Sequence, residues 1–431
     1  MTQAESGPQY LDQILERRLV RSALSAKDRA LVTAIANGTV RMRSRLDTEI
    51  EQHYREGYAT ARPLLRNVLR TALFQLRYMD RIPEYAAINE AVEIARRRFG
   101  DRMSQFCNAL LRNAQRTPLE WPPNEELAAA RDFQSLGRSL SFPEWLMRRW
   151  IERLGAAETL ALAEAFNRVP DITMRVVRPQ ANLQTFLNEA ERAGLELRPL
   201  EGLPDFFVLP HMDQIGDFAP FKNGLCTVQD GSGGLVTYLA APVSGESVID
   251  LCAAPGGKAM HLAEKVAPTK VLAVDIDEAR IQMLAEGAGR LDLAVETAVA
   301  DACTFSATPA DLVVVDAPCS GLGVLGKRSD LRWRRKQGEI AQLAQLQKRI
   351  LTNAASLVRA GGRLIYSTCT TEPEENDAMV SLFMENHPEF ALEPAHQFVD
   401  ARFCDDKGFV RTFPHRHGID GSFAARLKKT Q

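Results

Sequence analysis

Two cysteines each follow an apolar stretch that is typical of a buried β-strand. Cys319 lies in the string DLVVVDAPCSGLG and Cys369 in the string RLIYSTCTTEPEEN. A single cysteine is commonly a small buried hydrophobic residue. Two cysteines at the ends of adjacent strands instead favour nucleophilic chemistry, because a thiolate is a strong nucleophile.

A glycine-containing loop follows another apolar stretch. The string DLCAAPGGK begins at Asp250, and a helical pattern comes after it. Paired glycines let a ligand approach the backbone closely, and the first turn of a helix presents unpaired N–H groups. The string is neither G-x-G-x-x-G nor a Walker A loop, so it indicates neither a dinucleotide nor a nucleoside triphosphate. The pattern favours a ligand loop over a plain strand-to-helix turn.

Three successive strand-like stretches end in an acidic residue, at Asp275, Asp301 and Asp316. A carboxylate at the first position can accept both ribose hydroxyls of a nucleoside, and Asp301 can bind an adenine amino group. Each could instead cap the following helix. Because three carboxylates repel a phosphate-rich ligand but attract a cation, the residues predict S-adenosylmethionine as the cofactor.

A basic segment, KRSDLRWRRK (327–336), lies between the two cysteine strings. Cations with an embedded tryptophan suit a splayed single strand, through phosphate contacts and base stacking, whereas a solvated charged face would not need the aromatic ring. The predicted RNA contacts are Lys327, Arg328, Arg332, Trp333, Arg334 and Arg335. The histidines show no ligand-type spacing with carboxylates or cysteines, so we expect no metal.

The elements that position these residues alternate between apolar strands and helices from about Ser247 onward. The strands are SVIDL, KVLAVDI, ETAVA, DLVVVDA and GRLIYST. Such alternation predicts an α/β Rossmann-like domain with a mostly parallel sheet, whose ligands bind at the carboxyl ends of the strands. We assign this domain to residues 241–431. Before it we predict an all-helical domain at 1–126 and a small α+β connecting domain at 127–240.

Charge and cysteine content narrow the class of protein. Of the 431 residues, 45% are hydrophobic and 25% are charged, which is typical of globular domains. Residues 1–118 carry 20 Lys and Arg against 13 Asp and Glu, which suits phosphate binding as well as solvated helix faces. The sequence has seven cysteines without a C-x-x-C pair, no secretory h-region and no long apolar run. These features predict a cytoplasmic protein with no membrane span. We also expect a monomer.

The strings LCAAPGGK, DAPCSGLG and YSTCTTEPEEN closely resemble motifs of the NOL1/NOP2/Sun family of RNA cytosine-C5 methyltransferases. The segment FKNGLCTVQD is similar to the element that precedes the catalytic domain there. INEAVEIARRRFG and FCNALLRN resemble the NusB-like RNA-binding domain. The combination resembles the bacterial Fmu/Sun branch of the family, which implies 16S ribosomal RNA as the substrate and partner.

The resemblance also implies roles for single residues. Cys369 corresponds to the nucleophile that attacks C6 of cytosine, and Cys319 to the residue that assists release of the covalent adduct. Asp316 would lie against the base near N3 and near the reactive end of the cofactor, with Lys258 as possible electrostatic support for the thiolate. The residues expected to hold S-adenosylmethionine are Cys252, Ala253, Ala254, Pro255, Gly256, Gly257, Lys258, Asp275, Asp301 and Asp316.

Two alternatives remain. A DNA cytosine-C5 methyltransferase would use the cysteine of a Pro-Cys pair, as Pro318-Cys319 offers, but the second cysteine and the NusB-like segment argue against it. In a non-enzymatic RNA-binding factor, only residues 1–118 would have a function. The retained cysteines and the three acidic strand ends argue against that reading.

Overall fold

The computed structural model describes residues 1–430 except 8, 55–56 and 210–214. The chain forms two compact units. Unit 1 comprises Met1–Val169 and Leu325–Gln337, and unit 2 comprises Pro170–Val324 and Gly338–Gln431. No described helix is both long and apolar enough to cross a bilayer.

Unit 1 is helical from its N-terminus, as predicted. Ser25 caps the third helix by accepting the Asp28 N–H, and Pro63 occupies the first turn of the fifth, where a missing N–H costs nothing. Leu46, Leu69 and Leu111 lie in its buried core. The helices are α1 (Thr2–Ser6), α2 (Leu11–Val20), α3 (Ala26–Arg41), α4 (Arg43–His53), α5 (Pro63–Tyr78), α6 (Glu84–Phe99), α7 (Asp101–Arg116), α8 (Asn124–Ala129), α9 (Phe133–Leu140), α10 (Glu144–Leu154) and α11 (Ala156–Asn167).

Helix α8 spans the boundary that we placed at residue 126, and α9 to α11 lie beyond it. The last three helices belong to unit 1 and contain or flank an aromatic cluster in which the rings of Phe142, Trp150 and Phe166 lie 5.6–6.5 Å apart. The first segment of unit 1 therefore extends to Val169, so residues 127–240, predicted as a connecting domain, are divided between the two units. Sequence periodicity could not reveal this, because it does not show which helices share a core.

Unit 2 begins with a small α+β layer, as predicted. Its four strands form an antiparallel sheet in the order β2-β3-β1-β4. Phe186 packs on Phe207 beneath the sheet, with ring centroids 5.5 Å apart. The elements are β1 (Ile172–Val176), α12 (Pro179–Arg192), β2 (Arg198–Leu200), β3 (Leu203–Leu209), α13 (Ala219–Lys222) and β4 (Cys226–Val228).

The rest of the chain, apart from Leu325–Gln337, builds a second sheet in the order β10-β12-β9-β8-β5-β6-β7, with β11 paired to β12. The elements are α14 (Gly231–Ala240), β5 (Val248–Leu251), α15 (Gly257–Val266), β6 (Val271–Asp275), α16 (Glu278–Arg290), β7 (Val295–Val299), β8 (Ala310–Asp316), α17 (Leu331–Arg334, in unit 1), α18 (Gln337–Leu357), β9 (Val358–Thr368), α19 (Asp377–Asn386), β10 (Phe390–Glu393), β11 (Val410–Thr412), α20 (Pro414–His417) and β12 (Ser422–Lys429).

The five predicted strands β5 to β9 pair in parallel, which confirms the Rossmann-like fold. Strands β5, β6, β8 and β9 are near-continuous apolar runs, as expected for strands covered on both sides, whereas β7 (VETAV), at the edge of the sheet, is largely exposed. The antiparallel strands β10 to β12 were not predicted. They extend the sheet beyond β9 and bring Gly421 beside the loop that carries Cys369, where the Gly421 N–H donates to the Gly323 carbonyl and the Gly323 N–H to that of Cys369.

Candidate active site

The loop Cys252–Lys258 leaves the carboxyl end of β5 and enters α15, as predicted. Gly256 has φ of 105°, which favours glycine, and a Cβ there would lie 2.5 Å from Leu284 Cγ. The Ala253 N–H donates to the carbonyl of Val274 at 2.9 Å, which fixes the loop against β6. Glycine at this position therefore lets the loop turn closely over α16.

Asp275 ends β6 and holds the same loop. Its Oδ2 accepts the Ala254 N–H at 3.0 Å and its Oδ1 accepts the Asp277 N–H at 3.0 Å. Arg280, which the sequence analysis missed, donates to the Ala254 carbonyl and lies 3.9 Å from Asp275 Oδ2. A carboxylate has about four acceptor positions, so Asp275 retains capacity for a ligand.

Asp301 follows β7 and lies at the exposed end of the strand. Its Oδ1 accepts the Cys303 N–H at 2.9 Å. Two apolar side chains accompany these acids: Ile276 is 71% exposed and Val299 is 54% exposed, and Val299 pairs with Asp275 in the β6–β7 register. An apolar surface flanked by acceptors is suited to a nucleoside.

Lys258 and Asp316 form an ion pair between the first turn of α15 and the end of β8. Lys258 Nζ lies 2.7 Å from Asp316 Oδ2, and the Ser367 hydroxyl donates to Asp316 Oδ1 at 2.8 Å. Burial alone would lower the pKa of Lys258, but the Asp316 carboxylate and the Cys369 sulfur raise it above its ordinary value. The ammonium group is therefore a fixed positive charge beside the Cys369 sulfur.

A second carboxyl lies beneath this pair. Asp250, at the third position of β5, is fully buried, and neither of its oxygens makes a hydrogen bond to a described residue. Burial and the neighbouring Asp316 carboxylate raise the pKa of Asp250 well above its ordinary value. The raised pKa favours the protonated form of Asp250, and the carboxylate that contacts Lys258 is that of Asp316.

The two candidate cysteines meet at the ends of β8 and β9. Cys319 Sγ lies 3.1 Å from Cys369 Sγ and accepts the Cys369 N–H at 3.3 Å. Gly323 packs directly on Gly421 beside them, because a Cβ at 323 would lie 1.9 Å from the Gly421 carbonyl oxygen. The hydrogen bond from Cys369 and burial raise the pKa of the Cys319 thiol well above its ordinary value. The two cysteines that were predicted at the ends of adjacent strands are thus neighbours in the structure.

Several residues around the cysteines carried no separate prediction. Ser367 and Glu375 belong to the strings quoted for the family resemblance, so a signal for them existed. Gln347 lies in the middle of α18 and had no such signal. The next helix, α19, begins at Asp377 after a short 3₁₀ turn, Pro373–Glu375.

The basic segment 327–336 is placed differently from the prediction. It belongs to unit 1, where Arg332 is fully buried and the Trp333 indole N–H donates to the Val40 carbonyl at 2.7 Å. The predicted RNA contacts through Arg332 and Trp333 are therefore not supported. Lys327 and Arg328 are exposed, while Arg334 and Arg335 are half-buried.

Arg332 joins the carboxyl ends of three helices. Its guanidinium donates to the carbonyls of Arg41 at the end of α3, Ser141 after α9 and Phe166 near the end of α11, at 3.0–3.3 Å. Helix carboxyl ends carry unpaired carbonyls and a partial negative charge. A buried guanidinium satisfies both, so this arginine has a structural role that a count of surface charges could not predict.

Some of the arginines in residues 1–118 make contacts inside unit 1. Arg70 is buried and pairs with Asp47 and Glu5, and Arg41 donates to the Gly326 carbonyl at 2.9 Å. Arg98 and Arg102, at the junction of α6 and α7, are exposed. Fewer positive charges are therefore available to a ligand than the sequence contains. The available ones include Arg98 and Arg102 at this junction.

The acids, the apolar surface and the turn at Gly256 suit S-adenosylmethionine, because they combine acceptors for a cation and a nucleoside with room for close backbone contact. The described residues contain no group of three His, Cys, Asp or Glu side chains arranged to hold a metal ion.

The fold and this site define a methyltransferase of the Rossmann-like class. Residues 237–428 match the family described as 16S rRNA methyltransferase RsmB/F, residues 2–116 match the NusB family, and residues 142–214 match the ferredoxin-like domain of RsmF/B-like methyltransferases. Taken with the full-length relatives described next, these matches show that the chain belongs to the RsmB/F family of methyltransferases.

A relative from Synechocystis sp. is named a probable ribosomal RNA small subunit methyltransferase B; it is 34% identical over 97% of this chain and 95% of its own. A relative of the same name from Bacillus subtilis is 32% identical over 99% of this chain and 96% of its own. The crystal structure of PH0851 is similar with a TM-score of 0.79 and 28% identity, over 97% of this chain and 93% of that one.

Proposed function

We propose that this protein transfers a methyl group from S-adenosylmethionine to C5 of a cytosine in 16S ribosomal RNA, through a covalent bond between Cys369 and C6. The observation that carries this proposal is the 3.1 Å approach of the Cys319 and Cys369 sulfurs in the same site as the Lys258–Asp316 pair. Relatives that align over almost the whole chain are named for small-subunit ribosomal RNA, which supports the choice of substrate.

The chain's own residues account for nucleophilic attack. Cytosine C5 is too weak a nucleophile to take a methyl group directly, and a thiolate bonded to C6 makes the ring enamine-like. The positive charge of Lys258 favours the thiolate of Cys369. Asp316, held by Lys258 and Ser367, is positioned to contact the base near N3. S-adenosylmethionine, when bound, supplies the methyl group.

Release of the product needs a base and a bond cleavage. After methyl transfer the C5 proton must leave, and its electron pair restores the C5–C6 double bond as the Cys369–C6 bond breaks. Cys319, in contact with Cys369, can accept that proton as a thiolate, and the thiol that results is the form that its raised pKa favours. The target base must be unpaired or flipped out to reach these residues.

Substitution of each cysteine tests the proposal. Cys369→Ala removes the attacking sulfur, so we expect neither methyl transfer nor a covalent RNA adduct. Cys319→Ala still attacks and transfers the methyl group but does not release the enzyme, so we expect an adduct that survives denaturing gel electrophoresis. Replacement of Cys107, a buried cysteine of unit 1, by alanine is the matched control and should leave turnover measurable.

Two other outcomes would assign a different function. An adduct with Cys369→Ala and none with Cys319→Ala would make Cys319 the nucleophile, as in the DNA-type mechanism. No adduct with either variant, together with no binding of S-adenosylmethionine by calorimetry, would make the chain a non-catalytic RNA-binding factor. Mapping of 5-methylcytidine in ribosomal RNA from a deletion strain would identify the modified position.

A further inference from the structure

Two buried side chains hold the peptide groups on either side of Cys319. Gln347 Nε2 donates to the Pro318 carbonyl at 3.0 Å, and Glu375 Oε1 accepts the Ser320 N–H at 2.8 Å. The two side chains also contact each other, since Gln347 Nε2 donates to Glu375 Oε1 at 2.9 Å. The backbone of Cys319 is therefore fixed both before and after the sulfur-bearing residue.

The pair is itself held in the core. Gln347 and Glu375 have no exposed surface, and the Tyr366 hydroxyl lies 3.1 Å from Gln347 Oε1 and 2.6 Å from the Glu375 carbonyl, to which it donates. Burial raises the pKa of Glu375, while the hydrogen bonds from Ser320 and Gln347 lower it. Glu375 Oε2 is buried without a hydrogen-bond partner among the described residues, so the pair is held through Glu375 Oε1 and the Gln347 amide.

Cys369 is held by a different residue. Asn376 Nδ2 donates to the Thr370 carbonyl at 3.0 Å, and the Thr368 hydroxyl donates to Asn376 Oδ1 at 2.6 Å. The two supports meet where the Ser320 and Thr370 hydroxyls lie 2.7 Å apart. Each cysteine thus has its own buried support, and the two supports are linked by the Ser320–Thr370 hydrogen bond and by the peptide bond between Glu375 and Asn376.

We propose that Gln347 and Glu375 are positioning residues for the release step, because they hold Cys319 at the distance from Cys369 at which it can accept the C5 proton. The proposal rests on the proposed function for the identity of that step. Neither residue reaches the reacting atoms. Both act through the peptide groups that flank Cys319, whereas Asn376 contacts the two neighbours of the nucleophile, through the Thr368 hydroxyl and the Thr370 carbonyl.

The test compares adduct formation with adduct release. In Gln347→Met we expect multiple turnover to fall at least tenfold and a covalent RNA adduct to accumulate, as in Cys319→Ala, while single-turnover methyl transfer and the Kd for S-adenosylmethionine stay within about threefold of the parent. Glu375→Gln retains the acceptor at Oε1 and should release product at close to the parental rate. Gln345→Met, the same change at an exposed position of α18, is the matched control.

A purely structural role predicts a different result, in which adduct formation, release and cofactor affinity fall together as the folded fraction falls. That result, or parental turnover in Gln347→Met, would overturn the proposal. Asn376→Leu provides the opposite pattern. It should reduce adduct formation without causing an adduct to accumulate, because it frees the nucleophile and leaves Cys319 in place.

Disulfide formation gives a readout that does not depend on RNA chemistry. Diamide oxidises two adjacent thiols to a disulfide, and the two electrons and two protons reduce its N=N bond. We expect Gln347→Met to slow formation of the Cys319–Cys369 disulfide at least tenfold relative to the parent and to Gln345→Met, by peptide mass spectrometry. An unchanged rate of disulfide formation in Gln347→Met would overturn the positioning role. If disulfide formation is slower in Gln347→Met but the parent protein transfers no methyl group, the positioning role stands and the proposed function is rejected.

Discussion

Lys258 in unit 2 and Arg332 in unit 1 are cations held largely or wholly away from water, and the sequence analysis assigned both to functional sites. Lys258 is paired with the Asp316 carboxylate, its side chain is 21% exposed, and the Cys369 sulfur affects its pKa. All five described hydrogen bonds of Arg332 instead end on carbonyl oxygens, at Arg41, Ser141, Phe166, Asn167 and Leu325.

The difference shows that the partners of a buried cation indicate whether its role is catalytic or structural. A cation that shares a partly open site with a carboxylate and a sulfur can change the protonation of a reacting group. A cation whose described hydrogen bonds all end on carbonyls, most of them at helix termini, stabilises those termini. Each of the following changes tests one side of this contrast.

The largest expected effect is on the stability of unit 1. Arg332→Met leaves buried carbonyls at three helix ends without a donor, and an unsatisfied buried acceptor costs about 1–3 kcal/mol. We expect the free energy of unfolding of unit 1 to fall by roughly 3–5 kcal/mol. Urea denaturation followed by tryptophan fluorescence measures it. Arg328→Met, at a side chain that is 49% exposed, is the control and should change stability little. Equal, small losses of stability in Arg332→Met and Arg328→Met would contradict the structural role of Arg332 and favour the predicted RNA contact.

The same kind of change in unit 2 should affect rate and not folding. Lys258→Met removes the charge beside the Cys369 sulfur and the partner of Asp316, so we expect kcat to fall about 10²–10³-fold, comparable to loss of one preorganised electrostatic group. Steady-state methyl transfer to ribosomal RNA measures the loss. Lys270→Met, at an exposed lysine paired with Glu296, should keep the parental rate. A loss of folding in place of a loss of rate would contradict the contrast with Arg332.

Asp275 combines both roles, since it holds the Ala254 N–H and is expected to accept ribose hydroxyls. Hydrogen bonds to a charged partner contribute roughly 1.5–3 kcal/mol, so Asp275→Ala should raise the Kd for S-adenosylmethionine about tenfold to a hundredfold by calorimetry. Asp292→Ala, at a side chain that is 98% exposed, is the control. A Kd within twofold of the parent would restrict Asp275 to holding the loop.

Substitution of Asp250 should have a smaller effect on the stability of unit 2, and that effect should depend on pH. Its pKa is raised in the folded state, so folding favours the protonated form. Its contribution is fully present below the unfolded pKa and is lost as the pH rises through the folded value. Asp250→Asn removes this titration, so the variant should gain stability relative to the parent as the pH is raised from 4 to 8. Calorimetric Tm values at the two pH values check this, and a pH-independent difference would show that Asp250 is not neutral.

The smallest effect concerns the exposed cations of unit 1. If Arg98 and Arg102 contact phosphate, the double variant Arg98→Gln/Arg102→Gln should lower the slope of log affinity against log salt concentration by roughly 2, with little change in stability. RNA binding measured at several salt concentrations gives the slope. Arg131→Gln, an exposed arginine beyond the NusB-matching residues, serves as the comparison. An unchanged slope would place RNA contact elsewhere.

Local patterns in the sequence were sufficient for much of the fold. Alternating apolar strands and helices predicted β5 to β9, because periodicity depends on neighbours close in the chain. Strand ends predicted the region of the site, since parallel strands bring their carboxyl ends to one edge of a sheet. Cys319, Cys369, Asp316 and Lys258 are all found there.

Contacts between distant residues were decided only by the tertiary structure. The division at Val169, the added strands β10 to β12 and the burial of Arg332 depend on which surfaces pack together, and composition and spacing do not record that. Gln347 is the clearest case: it lies 29 residues from Pro318 and 28 from Glu375, in a helix without a motif. A hydrogen bond between such residues exists only once the core has formed, because its geometry is set by every element that packs around it.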